Sequence, residues 1–270
     1  MKISISALSI AYGLTPEALR YYEEKGLLTP ERTASSGFRK YTLEDVKRLG
    51  IIKSMQRQGF SLEEIRSIFD GCPRAELIGM MDEKRRQLRE QISLSSAIYN
   101  RLIAAADLMR DSAKLDLQPR LAPGCAAYVL DYDSFSAMWG QVTTSQLLRS
   151  LIDALPLSSY TTVVPREMLA GQEAHLRYGV CVPAEYLTVV AADFSQMHMC
   201  AGPQTVRVAY ELRPPERRTI LPAVEAARAF LKEQGLTPVC PAYTREYAWL
   251  VDEHGQKRHF SELIVPAAKM

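Results

Sequence analysis

With 270 residues, 47% of them hydrophobic, and a formal charge of only +2, the chain is long enough for about two domains with cores of their own. The near-neutral balance excludes a general polyelectrolyte attraction to nucleic acid, so any DNA affinity must come from locally placed basic groups. No stretch is apolar enough to span a bilayer, MKISISALSIAYG is too polar for a signal peptide, and five scattered cysteines suit reduced thiols, so a cytoplasmic protein is expected.

Taken in order, Ile5, Leu8, Ile10 and Ala11 precede Gly13, which suits a first helix and a tight turn. TPEALRYYEEKGLL follows at residues 15–28. Thr15 is placed as N-cap, Pro16 at the first helical position, and Gly26 as the stop. Ala18, Leu19, Tyr22 and Leu27 supply an apolar side; Arg20, Tyr21 and Lys25 remain for an exposed one. The pair reads as a helix-turn-helix. On a recognition helix, arginine pairs with phosphate or guanine and tyrosine hydroxyls reach phosphates. SSGFRKY then suits a short basic wing, residues 42–52 another helix, and Ser61 with Glu64 a capping box. Lys53 and Arg57 are placed to grip the DNA backbone or to serve as ordinary surface charge.

LRYYEEKGLL, GFRKY and QGFSLEEI, in this order, resemble the MerR family of transcription regulators over residues 3–70. The resemblance implies a winged helix-turn-helix domain at residues 1–72. Its DNA-facing residues would be Arg20, Tyr21, Tyr22, Lys25, Phe38, Arg39, Lys40 and Tyr41, together with Lys53 and Arg57.

Gly71-Cys72-Pro73 breaks the chain. Residues 74–111 contain no proline, and Ile78, Met81, Arg85, Leu88, Ile92, Ser95, Tyr99, Leu102, Ala106 and Met109 recur three and four apart. That is a heptad seam, which makes residues 73–112 a coiled-coil dimerisation helix; in the resembled family it is antiparallel in a homodimer. Metal-sensing members carry cysteines at and just after this helix. Cys72 matches the first place, but residues 102–121 hold no cysteine, so no metal and no cofactor are expected.

Residues 112–123 read as a polar linker. Beyond them, strands are expected at 125–130, 160–165, 175–183, 204–212, 243–251 and 259–265, with helices at 134–155 and 216–234. Strand-helix-strand-strand occurs twice, an α+β domain with a pseudo-repeat at residues 120–270. TREYAWL and FSELIVPA resemble the GyrI-like effector domain of the multidrug-responsive, BmrR-like members of the family. That resemblance implies lipophilic cations held by strand carboxylates, here Glu246 and Glu262, with Trp139, Tyr160 and Tyr186 as ring partners. Each ring equally suits a plain core. Alternation puts Glu246 on one side of its strand with Ala248, and Tyr247 and Trp249 on the other. His175, His198, His254 and His259 fit no nucleophile-elbow or metal spacing, so catalysis is not expected.

The whole implies a ligand-responsive activator that binds double-stranded promoter DNA as a homodimer. On binding its effector it would untwist an over-long spacer so that RNA polymerase engages both promoter boxes. The alternatives are a small-molecule-binding or hydrolytic domain tethered to DNA, and an effector-independent repressor.

Overall fold

The structure, a computed structural model, describes residues 3–32, 39–213, 219–251 and 254–269. Phe38 with residues 35–37 of the expected wing, residues 214–218 at the start of the second helix, and Asp252-Glu253 of the expected hairpin loop lie outside the described residues. Contacts divide the chain into two compact units, Met1–Gln91 and Ile92–Met270.

The first unit runs β1 (Ile3–Ser4), α1 (Ile5–Tyr12), α2 (Pro16–Glu24), β2 (Glu31–Arg32), β3 (Arg39–Tyr41), α3 (Leu43–Arg57), α4 (Leu62–Phe69) and the first part of α5 (Arg74–Arg110). Helices α1 to α4 each start where a short polar side chain meets a free backbone N–H. Ser4 accepts from Ala7, Thr15 from Ala18, and Thr42 and Ser61 close reciprocal boxes with Asp45 and Glu64. Gly13, at φ 60°, ends α1 in the left-handed region that an L side chain rarely adopts. The helices enclose Leu8, Leu19, Leu27, Leu28, Leu49, Ile52 and Ile65. The antiparallel sheet β1-β3-β2 closes one side, with Tyr41 turned into that core.

Asp45 ties this unit together. Its carboxylate accepts the N–H of Thr29 at 2.9 Å, and both the N–H and the hydroxyl of Thr42 at 2.8 Å. One buried side chain thus joins the segment after α2 to the start of α3.

The second unit holds the rest of α5, then α6 (Ser112–Leu115), β4 (Pro119–Pro123), β5 (Ala126–Tyr132), α7 (Phe135–Gly140), α8 (Gln146–Asp153), β6 (Ser159–Val164), α9 (Arg166–Leu169) and β7 (Arg177–Pro183). After these come β8 (His198–Ala201), β9 (Gln204–Leu212), α10 (Leu221–Glu233), β10 (Leu236–Pro238), β11 (Ala242–Val251) and β12 (Lys257–Lys269). One sheet is ordered β4-β9-β12-β11-β6-β7-β5-β8, with β10 paired to β12. The order β5-α7-α8-β6-β7 recurs as β9-α10-β11-β12, with β10 interposed, and the two halves join where β6 pairs antiparallel with β11. Ala223, Val224, Ala227 and Leu231 of α10 cover Val206, Val208, Leu263 and Val265 in one half. Met138, Leu148 and Leu151 of α7 and α8 cover Val180 and Val182 in the other. Gly179 permits the β5–β7 approach, since a Cβ there would lie 1.8 Å from the Leu130 carbonyl oxygen. The fold is therefore α+β: an N-terminal helix-turn-helix, a long helix, and a β-rich C-terminal domain.

Several expectations shift. The helix expected at 134–155 is two helices, because Gly140 and the β-branched Thr143-Thr144 pair interrupt it and Ser145 caps α8 anew. The linker at 112–123 contains β4, and β8 has no counterpart among the expected strands. Both are sheet edges, where prolines and short runs are tolerated and sequence patterning is weakest. In β11 the register shifts between Glu246, opposite Ser261, and Ala248, opposite Phe260. This bulge puts Glu246 and Ala248 on opposite faces, so the simple alternation expected for this strand fails.

Replacing Asp45 by alanine removes three acceptor contacts at once. Asp45→Ala should lower the urea midpoint of the N-terminal unit by the equivalent of about 2 kcal/mol, a lost cap plus a lost hydrogen bond to the Thr29 N–H. Circular dichroism of the full chain checks this; an unchanged midpoint would show the Thr29 tie to be idle.

Candidate nucleic-acid interface and effector pocket

On α2 the exposed basic row forms as the helical period requires. Arg20 is half exposed and held by Glu17 at 3.2 Å one turn back. Tyr21 is exposed, with the Lys25 ammonium 5.3 Å from its ring centroid. Each of these groups can leave its solvated partner cheaply, because exposed pairs contribute little. On β3, Arg39 donates from Nε to Glu23 at 2.6 Å, and that hydrogen bond raises the guanidinium pKa. Arg32 reaches the same carboxylate at 3.4 Å. Glu23 therefore holds both wing arginines against α2. Lys40 is half-buried and Arg57 is exposed.

Two of the residues expected at DNA belong to the core instead. Tyr22 is buried and its hydroxyl donates to Gln56 at 3.1 Å. Tyr41 is fully buried, with a hydroxyl that has no partner among the described residues. Neither presents a group to a phosphate. Lys53 is half-buried and spends a hydrogen bond on the Tyr12 carbonyl. Tyr22 falls on the apolar side that the helical period gives it, and Tyr41 turns inward as every second strand residue does.

In the second unit Glu262 sits on β12 at 1% exposure. It accepts from Arg120 on β4, from Arg207 on β9 at 3.4 Å, and from the Tyr247 hydroxyl on β11 at 3.3 Å. Its charge is already matched inside the sheet, so it is not a free counter-charge for a ligand. Glu246 is exposed. Surrounding protein pushes its carboxyl pKa up, against the opposing pull of Arg101. Its backbone is locked on both sides: the N–H donates to Ser159 Oγ at 3.1 Å, and the carbonyl accepts from Arg101.

The expected ring partners do not assemble. Trp139 is exposed and stacks on Phe135, 6.0 Å between centroids. Tyr160 packs in the core under α7 and α8. Tyr186 alone lines a cavity of about 620 Å³ between α5 and the sheet, beside Arg245, Glu185, Ala97, Asn100 and Val189. Two site residues escaped the sequence reading altogether. Arg245 is buried in this wall, and Arg101, equally buried on α5, lies behind it with its guanidinium 4.8 Å from the Tyr247 ring centroid. Burial and the neighbouring Arg245 lower the Arg101 pKa. Among the described residues no cluster of three metal-capable side chains occurs, and no helix is long and apolar enough to cross a membrane.

Two family profiles match the chain, MerR HTH family regulatory protein over residues 3–72 and MerR, DNA binding, over residues 46–105. Over 130 residues the chain is 31% identical to the HTH-type transcriptional regulator CueR of Escherichia coli, an alignment covering 46% of this chain and 96% of the relative.

The chain belongs to the MerR family.

The mercuric resistance operon regulatory protein of Pseudomonas fluorescens is 29% identical over 130 residues, covering 46% of this chain and 90% of that one. Among solved structures, a MerR-family transcriptional regulator from Bacillus cereus is similar at 27% identity and TM-score 0.37, covering 41% of this chain and 84% of that one. An EcmrR–DNA complex covers 99% of this chain and 100% of that one, at 14% identity and TM-score 0.34. As a MerR-family transcription regulator this protein binds promoter DNA.

For this MerR-family chain the α2 and β3 geometry predicts two opposite responses. Arg20→Ala should weaken binding to any duplex and reduce the slope of log affinity against log salt by about 1. Glu23→Gln should tighten binding and steepen the slope by about 1, because Arg32 and Arg39 lose the carboxylate that competes with phosphate. Fluorescence anisotropy across a salt series reads both; equal slopes in all three proteins would remove these residues from the interface.

Proposed function

We propose that this MerR-family regulator is a ligand-responsive activator. It binds promoter DNA as a homodimer through the residue 1–72 domain, pairs through residues 73–112, and senses a small molecule through a GyrI-like domain at residues 120–270. The effector shifts the dimer toward a state that distorts the promoter spacer, so that RNA polymerase engages both promoter boxes. Arg20, Tyr21, Lys25 and Arg39 are the proposed DNA contacts, with Lys40 and Arg57 at the margins.

One observation carries this reading. Helix α5 lines the 620 Å³ cavity with Ile92, Ala97 and Asn100, while Ile92 itself, with Tyr99 and Leu102 of the same stretch, is exposed as part of the heptad seam. A ligand in the cavity therefore touches the helix that carries the pairing surface. Farther along, Ile78, Met81 and Leu88 continue the same exposed seam, and such a row is what a coiled-coil partner buries. Differential affinity of the ligand for two arrangements of this helix suffices to shift their populations. A cationic effector held by Glu246 and Glu262 meets an obstacle in this geometry: Glu262 is neutralised by Arg120 and Arg207, and the cavity wall carries Arg245.

In vitro transcription from a promoter with an over-long spacer tests the reading, using a panel of aromatic acids, amides and amines. At least one compound should raise transcript yield several-fold with DNA occupancy unchanged. Leu88→Asp, which puts an unpaired charge in the seam, should abolish both the dimer in sedimentation and the transcript. A transcript level that no compound changes, with the promoter fully bound, would favour the effector-independent repressor.

A further inference from the structure

The sensing cavity is built around an arginine with unspent donors. The Arg245 side chain is 9% exposed. Its Nη2 donates both to the Tyr186 hydroxyl and to the Glu185 carboxylate, an ion pair, each at 3.2 Å, and its buried Nε has no acceptor among the described residues. Guanidinium carries five N–H donors in a rigid fork. A buried donor left unmade is costly, and a carboxylate matches the fork two bonds at a time. Glu185 is itself 58% exposed, so water screens its half of the ion pair and leaves it exchangeable for another carboxylate.

Arg101 reinforces that field. It is 6% exposed and donates to the Glu246 backbone carbonyl. It forms no ion pair among the described residues. Arg101 and Arg245 flank the same Tyr247 ring, at 4.8 and 5.7 Å from its centroid. Two like charges sharing one ring in a partly dry site raise the local potential. Of the neighbouring acids, Glu246 is exposed as a residue, though nearby protein desolvates its carboxyl and raises its pKa against Arg101's opposing effect, and Glu185 faces solvent. Ala97 and Val189 add apolar wall, and Ser96 and Asn100 add neutral polar groups. The space, about 620 Å³, is open to solvent on one side, so a ligand would lie against Arg245 partly exposed.

We infer that this cavity takes an apolar, planar organic acid, with Arg245 as the fork that receives its carboxylate, and not a lipophilic cation. The inference rests on the ligand-responsive reading and names the ligand class for it.

Isothermal titration of the full-length dimer with naphthoate, naphthamide and naphthylmethylammonium tests the charge with the ring held constant. Naphthoate should bind roughly tenfold or more tightly than naphthamide, a margin typical of a charge-assisted bidentate contact, and the ammonium should bind weakest. In Arg245→Gln the naphthoate affinity should fall to that of naphthamide, while Arg245→Lys, a point charge without the fork, should fall between. If Arg245→Gln does not fold, the wild-type comparison still decides. Ser96→Trp, at an exposed helix position, should block naphthoate by filling the cavity. Equal affinity for naphthoate and naphthamide overturns the inference, as does undiminished naphthoate binding to Ser96→Trp. Preference for the ammonium overturns it too, yet leaves the ligand-responsive reading standing. No heat from any of the three overturns the cavity as an acid site, and the transcription panel then judges the ligand-responsive reading by itself.

Discussion

A buried carboxylate organises the C-terminal sheet. Glu262 lies on β12, the strand between β9 and β11, and it reaches Arg120, Arg207 and Tyr247 on three other strands. Removing a charge from water costs several kcal/mol, and only well-placed partners repay it. Here two guanidinia and a phenol do so, and the arrangement works in a single register of β4, β9, β11 and β12. The same pairing removes Glu262 from ligand chemistry. An acid in an apolar strand advertises either a ligand or a structural ion pair, and here it is the ion pair.

The consequence reaches β11. Tyr247 sits at the register shift and sends its hydroxyl to Glu262, while Arg101 and Arg245 approach its ring. Burial drives the Tyr247 phenol up to about 12, so it stays a neutral donor in the cell's pH range. One aromatic side chain thus lies between the Glu262 ion-pair network and the Arg101–Arg245 pair. Arg245 keeps its charge despite burial, with the Glu185 carboxylate 3.2 Å away and its guanidinium over the Tyr186 and Tyr247 rings.

The N-terminal unit follows a different logic, one of short-range contacts. Its capping groups act over three residues: Ser4 to Ala7, Thr15 to Ala18, Thr42 to Asp45, Ser61 to Glu64. Asp45 is the exception, reaching back to Thr29. Its basic residues are held in reserve by Glu17 and Glu23. Under the proposed DNA contacts, a phosphate would compete with these carboxylates for the same guanidinia, and the acids would then set affinity as well as solubility.

What the sequence alone determined was whatever is written in neighbouring residues. The helix starts at Thr15, Thr42 and Ser61, the unbroken α5, the family resemblance over residues 3–70, and the doubled strand-helix-strand-strand order were all legible, because caps, periodicity and ordered motifs act within a few turns of chain. The tertiary structure decided which face each side chain took and which charges met. Tyr41 turned into the core, and the bulge in β11 separated Glu246 from Ala248. Arg120 met Glu262 across 142 residues, and Arg101 met the Glu246 carbonyl across 145. Electrostatic energy depends on distance and burial in space, and neither is encoded in the spacing along the chain; that is why the acids were visible in the sequence and the arginines that define the cavity were not.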